Sequence, residues 1–450
     1  MAAGTISPAK QRDKLTSWSV VADRAFVPAA AACVLGAAGT FYIAGLRATG
    51  GAFPVPLDDV FIHFDFARAF CRGHPFEWIA GQGYSSGETS PLYALVLALG
   101  YAVGFRAMRL AVWAALVACG SLVWATVSLR TLLGRTHPLV GLAASALLVS
   151  VGALDFTLFS GMEVALFAGL LLHSLVLARR LVSAPAFGRS SLQWRLGAWG
   201  ALLVWTRPEA AVVVFVLAVL AARHARSSSP LAAMVRVAGP GALATLSVLL
   251  LNFAATGDFA SAGARLKLLS SNPYLSDLDR ARELLLNALY FYWKVLQGSA
   301  VAAPRLLWLL LACAGLGLVD RRTRAVAGAA LASAVLFGLL VSFNGAARYQ
   351  GFRYYAPSLL LLLVAVGLGL SALGRRVGAW AAVLAGGFFV AGALSRMDPQ
   401  RRFFAEASEN IHDQQVRVGR ELARIAPRDA RVLVGDAGAI PYVSELTTID

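Results

Sequence analysis

Charge is what this chain has least of. Only 14% of its 450 residues are Asp, Glu, Lys or Arg, where a soluble globular domain carries about a quarter. Lysine is almost missing: positions 10, 14, 267 and 294 are the only lysines among 40 basic residues, so the basic character is nearly all arginine. Cysteine is limited to Cys33, Cys71, Cys119 and Cys313, three of them inside apolar runs. No Cys-x-x-Cys or Cys/His spacing occurs, so neither a zinc module nor a disulfide framework is supported, and small apolar fillers are the better reading. The net charge of +16 has no soluble basic domain to carry it, which argues against nucleic acid as a partner.

What is present is hydrophobic sequence, 58% of the chain. Lys10, Arg12, Lys14 and Arg24 precede an apolar run from about 26 to 46. That run is too long for a signal-peptide core and long enough to cross a bilayer, so it reads as a retained first helix with its N-terminus inside. Apolar segments then recur at 108–129, 139–156, 162–178, 196–206, 209–222, 236–255, 304–319, 325–343, 357–373 and 377–395. With the first they predict an all-α polytopic membrane protein of about eleven transmembrane helices, several of them short enough to be tilted or broken. The stretch 91–103 is read as an interfacial or re-entrant helix. Only then do Arg130 and Arg135, Arg179 and Arg180, Arg189 and Arg195, Arg223 and Arg226, Arg321, Arg322 and Arg324, and Arg375 and Arg376 all fall on the inner side, as the positive-inside rule demands.

This topology divides the chain into a cytoplasmic segment 1–25, a transmembrane domain 26–395 with a large first outer loop at 48–107, and an outer tail 396–450. The membrane-proximal acids gather on the outer side: Asp58, Asp59, Glu88, Asp155, Glu163 and Glu209. A membrane protein that collects its carboxylates at one face marks where its polar chemistry happens. In the tail, 403–425 reads as an amphipathic helix and 431–434 as a strand, followed by a Gly435-to-Gly438 turn and the start of a second strand near Ile449. That is the opening of an α/β unit too small to bury a core, so we expect the chain to stop inside an extracytoplasmic C-terminal domain.

The strongest local feature is Leu57-Asp58-Asp59-Val60-Phe61-Ile62-His63. Adjacent carboxylates repel and need water or a cation to offset them; successive residues of a helix also face different directions, so one of the two is expected to reach a cleft. The plain alternative is a helix N-cap. Asp155 and Glu163 flank the tip of an expected helical hairpin, with a cap or an ion pair to Arg207 as the structural alternative. Arg207 and Glu209 straddle Pro208 as a turn with an internal charge pair, and Glu88 precedes Ser90-Pro91 as a possible cap. Arg265, Lys267, Arg348 and Arg353 are outer-side cations, suited to phosphate or to lipid headgroups. His63 and His74 make a weak metal pair, and metal dependence stays open. His173 lies inside a helix and reads as packing. Tyr84, Tyr93, Trp78, Tyr290, Phe291, Tyr292 and Trp293 read as an interfacial belt.

Taken in order, the Asp58-Asp59 segment through His74, Gly83-to-Leu92, Ser160-to-Phe167, Thr206-to-Ala210, Asn252-to-Gly257 with Ala264-to-Lys267, and Gly351-to-Pro357 resemble the GT-C superfamily of polyprenyl-phosphate-sugar-dependent glycosyltransferases. The likeness is nearest to the terminal arabinofuranosyltransferase branch, and residues 435–450 resemble the start of that branch's outer domain. The resemblance implies a catalytic aspartate in the first outer loop, with Asp58 as the base and Asp59 orienting the acceptor. It implies substrate contacts by His63, Glu88, Asp155, Glu163, Arg207 and Glu209, and donor-phosphate contacts by Arg265, Lys267, Arg348 and Arg353. The implied partners are a polyprenyl-phosphate-linked sugar, a cell-envelope acceptor and membrane lipids, with a divalent metal as an open cofactor. The implied place is the bacterial inner membrane, with site and C-terminus outside. A lipid or sugar transporter or flippase is the competing reading; it predicts midplane charges and inverted repeats, and neither is visible. A histidine-dependent acyltransferase would need an intramembrane histidine, for which His173 is a weak candidate.

Overall fold

The computed structural model describes residues 8–134, 136–185, 188–225 and 229–449, with side chains from residue 25 onward. Arg135, Arg226 and the side chains of Lys10, Arg12, Lys14 and Arg24 lie outside the described residues.

The expected apolar segments fall on helical backbone, although 139–156 is split into Pro138–Leu148 and Gly152–Leu158. Among the described residues, six helices are long and apolar enough to cross a membrane: Ala25–Ala48, Arg109–Leu133, Val164–Ser183, Pro230–Thr256, Arg324–Ser342 and Gln350–Arg376. Three bent pairs bring the number to nine if each pair is one broken span: Pro138–Leu148 with Gly152–Leu158 at 74°, Asp277–Ser299 with Pro304–Val319 at 103°, and Ala379–Leu394 with Met397–Ile425 at 43°. The expected eleven exceeded this because Arg189–Thr206 is diluted by polar residues and Ala211–Arg223 has 13 residues. The break between those two falls where Pro208 lacks the N–H that would continue the first helix.

Helix Ala356–Arg376 lies at the centre, with every residue from Ala356 to Ala372 buried. It packs on Leu307–Val319, Arg324–Ser342, Pro138–Leu148 and Ala379–Leu394. Glycine sets the closest approach: a Cβ at Gly369 would overlap the Cys313 carbonyl. Small residues at such crossings are what apolar helices use where lipid removes the hydrophobic drive to associate. On the outside, Leu35, Ile43, Leu116, Phe215, Leu243 and Leu384 stay exposed, which suits a surface bathed in hydrocarbon. The molecule is a multi-pass membrane protein.

The first loop folds into two short helices, Asp59–Cys71 and Pro91–Ala102, packed on each other. Twelve residues rise about 18 Å, well short of a ~30 Å hydrocarbon core, so Pro91–Ala102 cannot span upright. In the tail, helical backbone runs from Met397 to Ile425. Strands Arg431–Leu433 and Thr447–Ile449 pair in parallel, joined through helix Ala439–Ser444. That helix packs against both Arg417–Ile425 and Asp59–Cys71, bringing the tail onto the first loop.

Candidate active site

Asp58 and Asp59 part company at the helix start. Asp58 holds the N-cap position, yet its side chain does not cap its own helix. It is buried, and its two carboxylate oxygens accept from the backbone N–H groups of Gly438 (2.6 Å) and Ala439 (2.7 Å). Burial pushes its pKa up to about 7, over the opposing pull of those two hydrogen bonds. Asp59 turns the other way, with 28% of its side chain exposed and an ion pair to Arg353. Burial would raise its pKa, but Arg353, then Lys267, and His63 hold it below the usual carboxylate value. The two carboxylates thus sit differently: Asp58 is engaged by the tail, and Asp59 is held ionised beside Arg353 and keeps part of its surface exposed.

Arg353 reaches Asp59 from 294 residues further along the chain. The backbone just before it is strained: Gln350, Gly351 and Phe352 have φ of 52°, 69° and 63°. Glycine accepts this region freely; glutamine and phenylalanine do not, at about 1–3 kcal/mol each. The turn delivers a buried guanidinium whose Nη2 donates to Asp59 and to the Tyr354 hydroxyl (3.1 Å). Among the described residues its Nε and Nη1 find no partner. Lys267 ends helix Ala262–Lys267, and its charge reaches Asp59. Arg265 and Arg348 do not join this centre: Arg265 pairs with Asp258 and Arg348 with Glu283.

His63 follows Asp59 by four residues, so the two share a helix face. Its Nδ1 lies 3.1 Å from both Glu88 oxygens, and its Nε2 lies 3.7 Å from Glu163. Glu163 accepts a 2.7 Å bond from Arg207, which is 3.7 Å from Glu209. Burial works to lower the His63 pKa; Glu88, Glu163 and Asp59 overcome it and raise it to about 9, so the ring is a cation at neutral pH. Glu88 also accepts from the N–H of Ser90 (2.6 Å), and the Ser90 hydroxyl donates to the Thr206 carbonyl (2.7 Å). Glu88 thus both organises the start of the Pro91 helix and pins His63.

Asp155 departs from expectation. The segment 139–156 is not one straight arm of a hairpin but bends by 74° around 149–151. Asp155 is consequently fully buried and, among the described residues, neither of its oxygens has a hydrogen-bond partner. It joins none of the contacts made by Glu163. His74 pairs with Glu77 at 3.3 Å. No group of three or more His, Cys, Asp or Glu side chains able to hold a metal occurs among the described residues.

Sequence reasoning missed the tail's side of the site. Asp65 pairs with Arg68, which donates to the Tyr442 carbonyl at 2.8 Å and meets Glu445 at 3.1 Å. The Asp65-x-x-Arg68 spacing was a visible signal for a helix-face pair; its distant partners were not. Next to the network lies a cavity of about 490 Å³ lined by Phe66, Phe70, Leu95, Trp205 and Leu251, with Glu88 as its one carboxylate.

Against this geometry, comparison with solved structures is informative. The Archaeoglobus fulgidus oligosaccharyltransferase, in complex with Zn and sulfate, superposes with a TM-score of 0.55 at 13% identity, over 92% of this chain and 62% of that one. ArnT from Cupriavidus metallidurans bound to undecaprenyl phosphate gives 0.56 at 12%, over 93% and 84%. The archaeal oligosaccharyltransferase AglB from A. fulgidus with an inhibitory peptide and a dolichol-phosphate gives 0.56 at 12%, over 94% and 64%. The chain shares its fold with these solved structures. It spans under two thirds of the length of the archaeal oligosaccharyltransferase chains. Residues 409–450 match a family model described as a domain of unknown function, DUF8728. Among curated protein sequences, none matches this chain.

Proposed function

We propose that this chain is a membrane glycosyltransferase that takes a sugar from a polyprenyl-phosphate donor and passes it to a cell-envelope acceptor. The observation that carries the reading is the meeting of Asp59, Arg353 and Lys267. An ionised carboxylate with open surface faces two cations, and one of them keeps two donors unused. Through His63 and Glu88 this centre adjoins an apolar cavity, where an isoprenoid chain would be at home. The solved neighbours bound to undecaprenyl phosphate and to dolichol-phosphate support a lipid-linked phosphate as the donor handle.

In this reading Asp59 is the base, and the chemistry is one displacement. The acceptor hydroxyl gives its proton to Asp59 as its oxygen bonds to the anomeric carbon. The bond from that carbon to the phosphate oxygen breaks on the opposite face, inverting the centre, and the electron pair leaves with the polyprenyl phosphate. No acid is required, because the free Nε and Nη1 of Arg353, with Lys267, stabilise the departing charge. Arabinofuranose is the sugar suggested by the likeness of the ordered motifs. We place the site and the tail on the outer face of a bacterial inner membrane and the N-terminus in the cytoplasm, because the arginine-rich helix ends would then all lie inside.

The test is transfer in reconstituted membranes from a panel of radiolabelled polyprenyl-phosphate sugars to a crude envelope acceptor, with and without chelator. Wild type is expected to move label, and Asp59→Asn to lose about 10²–10⁴-fold in rate while remaining folded. If wild type consumes no donor, the transferase reading fails and lipid or sugar transport becomes the function to assay.

A further inference from the structure

The tail makes a second set of contacts with the first loop that the proposed reaction does not use. Asp58 receives two backbone N–H groups from Gly438 and Ala439. Gly438 is there for space: a Cβ on it would overlap both the Asp58 carbonyl oxygen and its carboxylate. Further along, Tyr442 sits against Phe61 and Phe64, with ring centroids 5.7 and 5.6 Å away. Arg68 lies over its ring at 4.6 Å, and its hydroxyl donates to the Ala107 carbonyl at 3.1 Å. Glu445, held in a left-handed conformation, meets Arg68 at 3.1 Å and Arg72 at 3.0 Å. These contacts grip one side of helix Asp59–Cys71 along its length, from Asp58 before its first residue to Arg72 after its last. Asp59 and His63 meet Arg353 and Glu88 on another face.

We propose that residues 436–449 are a positioning clamp for the first loop and that Asp58 is a positioning residue, acting on the reaction only through Asp59. Asp58 fixes the start of the helix; Asp59 is the very next residue, so a shift of Asp58 moves the carboxylate that faces Arg353. The proposal gives a job to the last third of the segment that matches a domain of unknown function. Its kinetic arm rests on the transferase reading, whereas its structural arm does not.

The experiment uses the full chain in three variants. Gly438→Ala pushes the clamp off Asp58, Asp58→Asn removes an acceptor with little change in shape, and Gly435→Ala places a methyl where nothing lies within 4 Å. Amide hydrogen exchange along 59–71 is measured together with kcat and KM for a radiolabelled polyprenyl-phosphate sugar. The first two variants are each expected to speed exchange along 59–71 by about tenfold or more and to lower kcat about 10²-fold, as a displacement near 1 Å does. KM is expected to stay within about threefold, because the apolar cavity and Arg353 are untouched; Gly435→Ala should match wild type. Unchanged exchange in Gly438→Ala overturns the clamp. A kcat lost in Asp58→Asn but kept in Gly438→Ala overturns the positioning role and puts Asp58 in the chemistry. If wild type transfers nothing, it is the transferase reading that fails, and exchange alone decides the clamp.

Discussion

The two ends of the helical bundle use arginine in opposite ways. At the end that carries the site, arginines meet carboxylates: Arg353 with Asp59, Arg207 with Glu163, Arg68 with Asp65, and Arg348 with Glu283. At the far end they meet the carbonyls that close helices. Arg130 donates to Gly134 and Arg179 to Leu132 at the end of Arg109–Leu133, Arg189 donates to Ala184 and His224, and Arg376 to Val319. Arg375, which pairs with Asp320, and Arg236, which donates to the side chains of Ser190 and Gln193, are exceptions there among the described residues. A helix C-terminus leaves four carbonyls without partners and a partial negative charge, so an arginine there satisfies geometry and dipole at once. An arginine on a carboxylate is a different object: an ion pair, out of water at Asp65 and Glu163 and partly exposed at Asp59 and Glu283. The difference separates arginines that close helix ends from arginines that hold charge beside the candidate site.

The sharpest way to test that separation is to remove one arginine from each end. Arg353→Ala takes away the partner of Asp59 and two unused donors, and should lower transfer about 10²–10³-fold, the usual loss when a group stabilising departing charge is deleted. Arg179→Ala should leave turnover within a few-fold of wild type. Comparable losses from both, measured as kcat in reconstituted membranes, would erase the distinction.

Stability should show the next largest difference. Arg207→Met leaves Glu163 buried with only His63 at 3.7 Å to offset it, and stranding a buried charge costs about 3–5 kcal/mol. Thermal unfolding in detergent is the readout. A loss below about 1 kcal/mol would mean that the Glu163–Arg207 pair behaves like an exposed one.

Much of this contrast could be read from the sequence, and the reason is locality. Apolar runs identify helices because burial and backbone hydrogen bonding act within a few turns, and the arginine clusters mark helix ends by the same logic. Loop 48–107 stood out as the home of the acids because Asp58, Asp59 and Glu88 lie close together in the chain. The pairing of Asp59 with Arg353 could not be seen: it depends on a left-handed turn through Gln350 and Phe352, residues with no local preference for it. Nor could the engagement of Asp58 by the N–H of Gly438, 380 residues away. The bend around 149–151 was hidden because 139–156 is apolar on both sides of it, and Asp155 was therefore placed at a tip instead of in the core.

His63 gives the same contrast a pH axis. Its folded pKa of about 9 lies above the ordinary 6.5, so the charged ring stabilises the fold fully below pH 6.5, and this contribution is lost as pH rises through 9. A shift of that size corresponds to on the order of 3 kcal/mol. Unfolding temperature should fall between pH 6.5 and 9, and His63→Gln should flatten that slope. A slope unchanged by the substitution would show that His63 is not held as a cation between Glu88 and Glu163.

The smallest effect belongs to the far end. Arg189 is buried, and among the described residues its guanidinium answers two backbone carbonyls and no carboxylate. Arg189→Met keeps the length and apolar stem of the side chain, removes its charge and leaves no stranded ion behind. The carbonyls of Ala184 and His224 sit at helix ends next to loops, where water can take over as donor. The expected cost is therefore that of two net hydrogen bonds, about 1–3 kcal/mol, with kcat unchanged. Were Arg189→Met to lower kcat as far as Arg353→Ala does, arginines at the two ends could not be told apart by what they bind, because a carbonyl-bound guanidinium would then matter to turnover as much as one bound to the acid at the site.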